Sequence, residues 1–245
     1  VIGASFIGLE TAAALRTREL PVHVVAPEKR PLERVFGPQL GDFVRALHEE
    51  HGVKFHLENS VTAIGADKVT LKNGGTLDAD LVVIGVGVRP RIELAEKADL
   101  KTDKGVSVDQ YLQTSAPDIY AAGDIALFPE TGFGPRRLEH WDNAVKQGKH
   151  AGRNMAGAHE RFTYMPFFFS DLFEFGYEAV GDIDSRLTTF ADWQEENKTG
   201  VIYYLDGDRL RGAMMCNVWG KVDEARALIQ KAQPVSLESL RGAIR

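Results

Sequence analysis

A chain of 245 residues, 44% apolar and 26% charged, is long enough for one large cored domain or two smaller ones, and its net charge of -6 disfavours nucleic-acid or anionic-membrane binding, which takes clustered Lys and Arg. Cys216 is the only cysteine, so these residues hold no disulfide framework and no cysteine zinc site, and a reducing, cytoplasmic setting is expected. The longest apolar runs, such as LVVIGVGV at 81–88, fall far short of the roughly 20 residues a bilayer demands, so no membrane role is expected.

The first ten residues, VIGASFIGLE, carry Gly3, Ser5 and Gly8 at the spacing of a dinucleotide-binding glycine turn, with Ser5 at the middle position. In such a turn the first glycine makes the bend, the second lets a pyrophosphate approach the backbone, and the third lets helix and strand pack. Serine is small enough for the middle place, and its hydroxyl is a donor to a phosphate oxygen. A strand of about five or six residues should lead in, yet only Val1 and Ile2 precede Gly3. The expectation is a chain that has lost its beginning.

Residues 8–20 are rich in helix formers, Pro21 ends them, and VHVVA at 22–26 reads as a buried parallel strand. A pyrophosphate would sit on the amides of residues 5–7, favoured by the helix dipole. Glu28 stands where an acidic residue is expected about 20 positions on, accepting from the adenine ribose 2′-hydroxyl. Residues 39–51 predict a second helix closed by Gly52. Residues 53–57, 61–66 and 68–80 predict short strands with a hairpin turn at Asn73–Gly75. Residues 81–87 predict a buried strand ending in glycines, and 89–100 a loop with a short helix.

A second strand-to-glycine junction is expected at 115–126, SAPDIYAAGDIA. Asp124 would stand at the carboxyl end of that strand beside Ala122 and Gly123, either accepting from sugar hydroxyls of a ligand or capping the next helix. A helix is expected over 141–155. From residue 162 aromatics become dense, then strands alternate with Asp-Gly turns and helices close the chain, which reads as an α+β domain beginning near 159.

Taken together, GASFIGLE, VVAPEKRPLERVFG, LVVIGVGVRP, DIYAAGDIA, RRLEHWDNAVKQGKHAGRNMAG and MPFFFSDLF resemble the two-dinucleotide flavoproteins of the pyridine nucleotide-disulfide oxidoreductase superfamily. The nearest likeness is to the apoptosis-inducing-factor-like and NADH–ferredoxin reductase branch. The resemblance implies an α/β fold in three parts. Residues 1–88 would be a Rossmann-like NAD(P)H-binding domain with a parallel sheet and an antiparallel hairpin. Residues 89–158 would be the remainder of an FAD-binding domain, and 159–245 a C-terminal α+β interface domain. On this view the first, FAD-binding half of the protein precedes Val1.

The resemblance also implies roles. Phe6 and Ile7 would flank the nicotinamide path, and Glu10 would accept from the carboxamide NH2. Gly87 would let the NADH backbone pass. Gly123 and Asp124 would meet FAD, with Asp124 on its ribityl chain. Glu139, His140 and Trp141 would lie beside the flavin ring and the incoming nicotinamide, and Phe169 would pack near the same rings. Plainer readings stand beside these: Phe6 and Phe169 as core aromatics, Glu10 as a solvated helix residue, His140 as a polar group starting a helix. Ala26 replaces the Glu common in that branch. Glu28 then leans toward NAD(H), while Lys29, Arg30 and Arg34 leave NADP(H) open.

The implied function is an FAD-dependent NAD(P)H oxidoreductase passing a hydride from NADH to flavin and electrons on to a ferredoxin, a quinone or oxygen. No side-chain acid or base and no metal is required, and a dithiol relay cannot run through Cys216 alone. The rival is a redox-sensing NADH-binding scaffold with little turnover. A ferredoxin or another electron-acceptor protein is the expected partner, a homodimer is open, and the chain by itself is expected to be inactive.

Overall fold

A computed structural model describes all 245 residues, and their contacts gather into two compact units, residues 1–87 with 169–245 and residues 88–168. The first and third segments of the sequence therefore share one unit.

In the first unit, helix Phe6–Thr17 buries Leu9, Ala12 and Ala13, and Ala12 packs against Val22, Val24 and Val53 of the sheet beneath. Strand Val22–Val25 pairs in parallel with Val53–His56, Val22 opposite Val53. Ile2 bridges in parallel to Val25 on one side and to Ile84 on the other. Helix Pro38–Glu50 starts on a proline, whose missing N–H is harmless there, and buries Leu40, Val44, Leu47 and His48. An antiparallel meander of Val61–Ile64, Lys68–Leu71 and Thr76–Asp78 follows, its last turn at residues 73–75 as the Asn-Gly-Gly sequence predicts.

The apolar run 81–87 departs from expectation. It forms no strand, and Leu81, Ile84 and Val86 are exposed by 65%, 60% and 68%. The Ile2 amide donates to Val83 O and the Gly85 amide donates to Ile2 O, a single rung against a three-residue stretch. Apolar composition signals what a segment tends to bury, but burial needs an opposing surface, and here the ladder stops at one bridge.

The C-terminal part of this unit is a five-stranded antiparallel sheet in the order Thr188–Glu195, Thr199–Asp206, Arg209–Cys216, Phe175–Gly181, Phe167–Leu172. Tyr177, Tyr203, Tyr204, Met214 and Met215 are fully buried in it, and helix Val222–Gln230 packs on its central strands. The last helix is a single turn, Leu237–Leu240.

The second unit holds helix Glu93–Lys97, a small sheet of Val106–Ser107, Ala126–Glu130 and Gly134–Arg136, and helix Trp141–Met155. Its core is Leu112, Phe128, Ala151 and Phe162. The strand expected to end at Gly123 is reduced to one bridge, Tyr120 with Gln113. Asp118 adopts φ 61° just before it, which breaks an extended run. The regular strand instead follows Asp124, which lies in the 3-10 turn Gly123–Ile125. Asp124 neither ends a strand nor caps a helix.

Candidate functional site

In the first unit the glycine turn is built by three backbones in near contact. Gly3 has φ 107°, outside the range open to other L residues without strain, and a Cβ there would come within 2.3 Å of Gly85 O. A Cβ on Gly8 would meet Gly3 O at 2.1 Å. Gly85 faces the Gly8 amide nitrogen, where a Cβ would stand 3.2 Å away. These close approaches seat the helix start against the sheet edge.

Ser5 occupies the N-cap of helix Phe6–Thr17 in extended conformation, exposed, and its hydroxyl makes no capping bond. The first-turn amides of a helix have no intrahelical acceptor, and with the helix dipole they favour an anion. Phe6, Ile7 and Glu10 lie three and four residues apart and so share a face. Ile7 is 53% exposed, while the Phe6 ring meets Phe36 edge-on at 5.8 Å. Ser170, on strand Phe167–Leu172, donates to Glu10 Oε1 at 2.5 Å, so Glu10 is not simply a solvated helix residue. Phe169, next to it on the strand, is 50% exposed and so is not a core aromatic.

Glu28 is exposed in the turn after strand Val22–Val25, and its carbonyl accepts from the Glu58 amide. Lys29, Arg30 and Glu58 line a polar cleft of 480 Å³. Arg30 donates to Asp42 at 2.7 Å and to Glu33 at 3.2 Å, so its charge is already matched. Ala26 is fully buried. Gly87 is exposed at φ 96° with open space where a Cβ would stand.

In the second unit Gly123, at φ 78°, lies against Ala144 of helix Trp141–Met155, where a Cβ would be 3.2 Å from Ala144 Cβ. The Gly123 amide donates to the buried Gln147 Oε1 at 2.8 Å. That bond fixes the turn carrying Asp124. Arg137 donates to Asp124 O at 2.9 Å and to Glu139 Oε1 at 2.5 Å. Partial loss of hydration, then the Glu139 charge, raises the Asp124 carboxyl above the usual range, against the pull of Arg137.

His140 sits at the N-cap of the helix but makes no capping bond; its ring stacks on Phe168 at 4.7 Å and 9°. Burial, then Arg136, pushes the imidazole below its ordinary value, opposed by Glu139 and Asp142, which favours the neutral ring. Trp141 is 73% exposed.

The structure thus brings Gly3, Ser5, Phe6, Ile7, Gly8 and Glu10 to one helix start, and Gly123, Asp124, Glu139, His140 and Trp141 to one turn and helix start. Sequence reasoning missed Gly85, Arg137, Gln147, Phe168 and Ser170. Gly85 lay two residues before the chosen Gly87 in a run that holds both glycines; the others carry no spacing signal.

A glycine turn too tight for side chains, opening a helix over a parallel sheet, defines a dinucleotide-binding site. The chain belongs to the pyridine nucleotide-disulphide oxidoreductase family, whose model matches residues 1–148, and a model of the C-terminal region of mitochondrion-associated apoptosis-inducing factor matches residues 151–199. Members of the first family bind FAD and NAD(P)H. Rhodocoxin reductase of Rhodococcus erythropolis is 34% identical over 97% of this chain and 57% of its own length. Peroxisomal monodehydroascorbate reductase 4 of Arabidopsis thaliana is 35% identical over 88% of this chain and 46% of its own. The crystal structure of the ferredoxin reductase for the CYP199A2 system of Rhodopseudomonas palustris superposes with a TM-score of 0.88 at 32% identity, covering 97% of this chain and 60% of that one. The chain spans about 57% of the length of the first of these relatives. No helix is long and apolar enough to cross a membrane.

Proposed function

We propose that this chain carries the nicotinamide-nucleotide site and part of the flavin site of an FAD-dependent NAD(P)H oxidoreductase. Residues 1–88 would hold the nucleotide, 89–158 contribute to FAD, and 159–245 form the interface domain. The observation that carries the reading is the mutual approach of Gly3, Gly8 and Gly85, which leaves no room for side chains on the seating faces of the turn.

The residues present fit a dinucleotide. Ser5 has a hydroxyl not engaged in capping, beside first-turn amides suited to a pyrophosphate. Glu10 offers a carboxylate, already held on one oxygen, to the carboxamide, with Phe6 and Ile7 on the same helix face. The open side of Gly87 leaves space for the nucleotide backbone. Glu28 would accept from the adenine ribose. Asp42 and Glu33 match Arg30, which removes one of the three cations that could attract a 2′-phosphate and leans the site toward NAD(H).

FAD fits the second unit through the Gly123 turn, with Asp124 as acceptor for its ribityl hydroxyls. Arg137 holds Glu139, and a neutral His140 and the exposed Trp141 supply flat faces for aromatic rings. Bound FAD supplies acceptance of a hydride and release of electrons one at a time. The protein's part is to orient rings and exclude water, and no side-chain proton donor is needed.

Among acceptors, an iron–sulfur protein of the ferredoxin type is favoured by the likeness to a ferredoxin reductase over almost the whole chain. NADH oxidation by the FAD-loaded protein with a ferredoxin should outrun that with monodehydroascorbate; the reverse order would reject this acceptor. A second reading, a redox-sensing scaffold, is favoured by the match of residues 151–199 to the apoptosis-inducing-factor region. Little turnover with any acceptor, together with an NADH-dependent change to or from a homodimer, would favour the scaffold. The proposed compartment is the cytoplasm.

A further inference from the structure

The carboxylate of Glu10 is held by a residue that no nucleotide-binding motif contains. Strand Phe167–Leu172 alternates, so that Ser170 and Leu172 are buried while Phe169 and Asp171 face out. Ser170 is 3% exposed, and its hydroxyl donates to Glu10 Oε1 at 2.5 Å, a charge-assisted bond between residues 160 positions apart in sequence. Tyr177 is fully buried on the adjacent strand Phe175–Gly181. Burial pushes the Tyr177 phenol far up.

A serine hydroxyl has one proton and two lone pairs. Ser170 directs its one proton to Glu10. The tyrosine ring is braced edge-on by Phe36 at 5.2 Å, and Phe36 meets Phe6 at 5.8 Å. The chain of contacts returns to the same helix face that carries Glu10.

We propose that Ser170 is a positioning residue that fixes one oxygen of Glu10 so that the other is presented to the carboxamide NH2 of a nicotinamide. This rests on the reading of Glu10 given above. Without the anchor, a glutamate with three rotatable torsions has to be ordered at the moment of binding. That loss falls on the nicotinamide end of the ligand and not on its ADP-ribose end. A bond serving only to staple helix to sheet would affect both ends alike.

The test is calorimetric titration of the 245-residue chain with NADH and, separately, with ADP-ribose, which lacks the nicotinamide. Ser170→Ala should weaken NADH roughly fivefold and leave ADP-ribose within about twofold, the size expected for one hydrogen bond. Ser170→Thr, which keeps the hydroxyl, should recover most of the loss. Equal weakening of both ligands by Ser170→Ala, or weakening of neither, overturns the proposal. Should Ser170→Ala fail to fold, Ser170→Cys decides, since a thiol is only a weak donor: an NADH-selective loss supports the proposal, and no selective loss overturns it. Glu10→Ala separates the two layers. If it weakens NADH selectively while Ser170→Ala does not, the positioning role alone falls; if it does not, the reading of Glu10 falls and the proposal with it.

Discussion

Gly8 turns its Cα toward the carbonyl oxygen of Gly3 so closely that a methyl group there would stand 2.1 Å from that oxygen. The obstacle is backbone on backbone, so no rotamer change relieves it. The equivalent atom on Gly85 would lie 3.2 Å from the Gly8 nitrogen, a separation that a shift of a few tenths of an ångström accommodates. Gly8→Ala is therefore expected to destabilise by about 3 kcal/mol, the upper end for overpacking, and Gly85→Ala by about 1 kcal/mol. Urea midpoints give the order, and NADH affinity should fall in the same order, since the nucleotide seat and the packing are one structure. Equal effects of the two substitutions would contradict this account.

The turn that carries Asp124 depends on Gln147. Its Oε1 accepts from the Gly123 amide at 2.8 Å in a buried setting. Gln147→Leu preserves much of the volume but leaves that N–H without a partner, at a penalty of about 1–3 kcal/mol. Retention of FAD through gel filtration should fall as well, because Asp124 is the next residue. A variant with unchanged stability and unchanged flavin retention would show that the turn holds without this bond.

Acid should weaken the first unit through His48. This residue is fully buried on helix Pro38–Glu50, with Nδ1 2.8 Å from Val44 O and Nε2 3.3 Å from Leu9 O. Burial lowers its pKa, the two carbonyl contacts oppose this without reversing it, and His51 adds to the lowering. A folded-state pKa below the unfolded value of about 6.5 means that the unfolded chain takes up the proton first. The contribution is fully present above that value and is lost as pH falls through it toward the folded pKa. Denaturation midpoints at pH 7.5 and pH 5.5 test this: the advantage of wild type over His48→Leu should shrink at the lower pH. A constant difference would remove His48 from the acid response.

Cys216 should be inert in the native protein. It is fully buried on strand Arg209–Cys216, and burial raises its thiol pKa well above the ordinary value. Reaction with a thiol-specific chromogenic disulfide should be absent under native conditions and stoichiometric in denaturant. Rapid native labelling would reopen thiol chemistry at this position, which the single buried sulfur now argues against despite the disulphide in the family's description.

Local patterns along the chain were enough for the glycine turn, the helices at 6–17, 38–50 and 141–155, the hairpin turn at 73–75 and the paired strands near the C-terminus. In each, neighbouring residues hold the relevant information: Gly for φ above zero, Pro at a helix start, apolar spacing along one face. The same local reading misplaced two segments. Residues 81–87 are apolar yet exposed, and the strand near Asp124 follows it instead of preceding it. Whether an apolar run is covered, and which side of a glycine pairs, depend on surfaces brought in from elsewhere.

The same division runs through the site. Sequence alone put forward the candidate dinucleotide-binding residues: Gly3, Ser5 and Gly8 by spacing, Asp124 by its small neighbours, and Glu10 by family resemblance. Only tertiary structure decided that Gly85 closes the turn, that Gln147 holds the Asp124 loop, and that Ser170 grips Glu10 from 160 residues away. A hydrogen bond or a backbone contact between distant segments leaves no period or spacing in the sequence, because it is set by how the elements pack and not by their order along the chain.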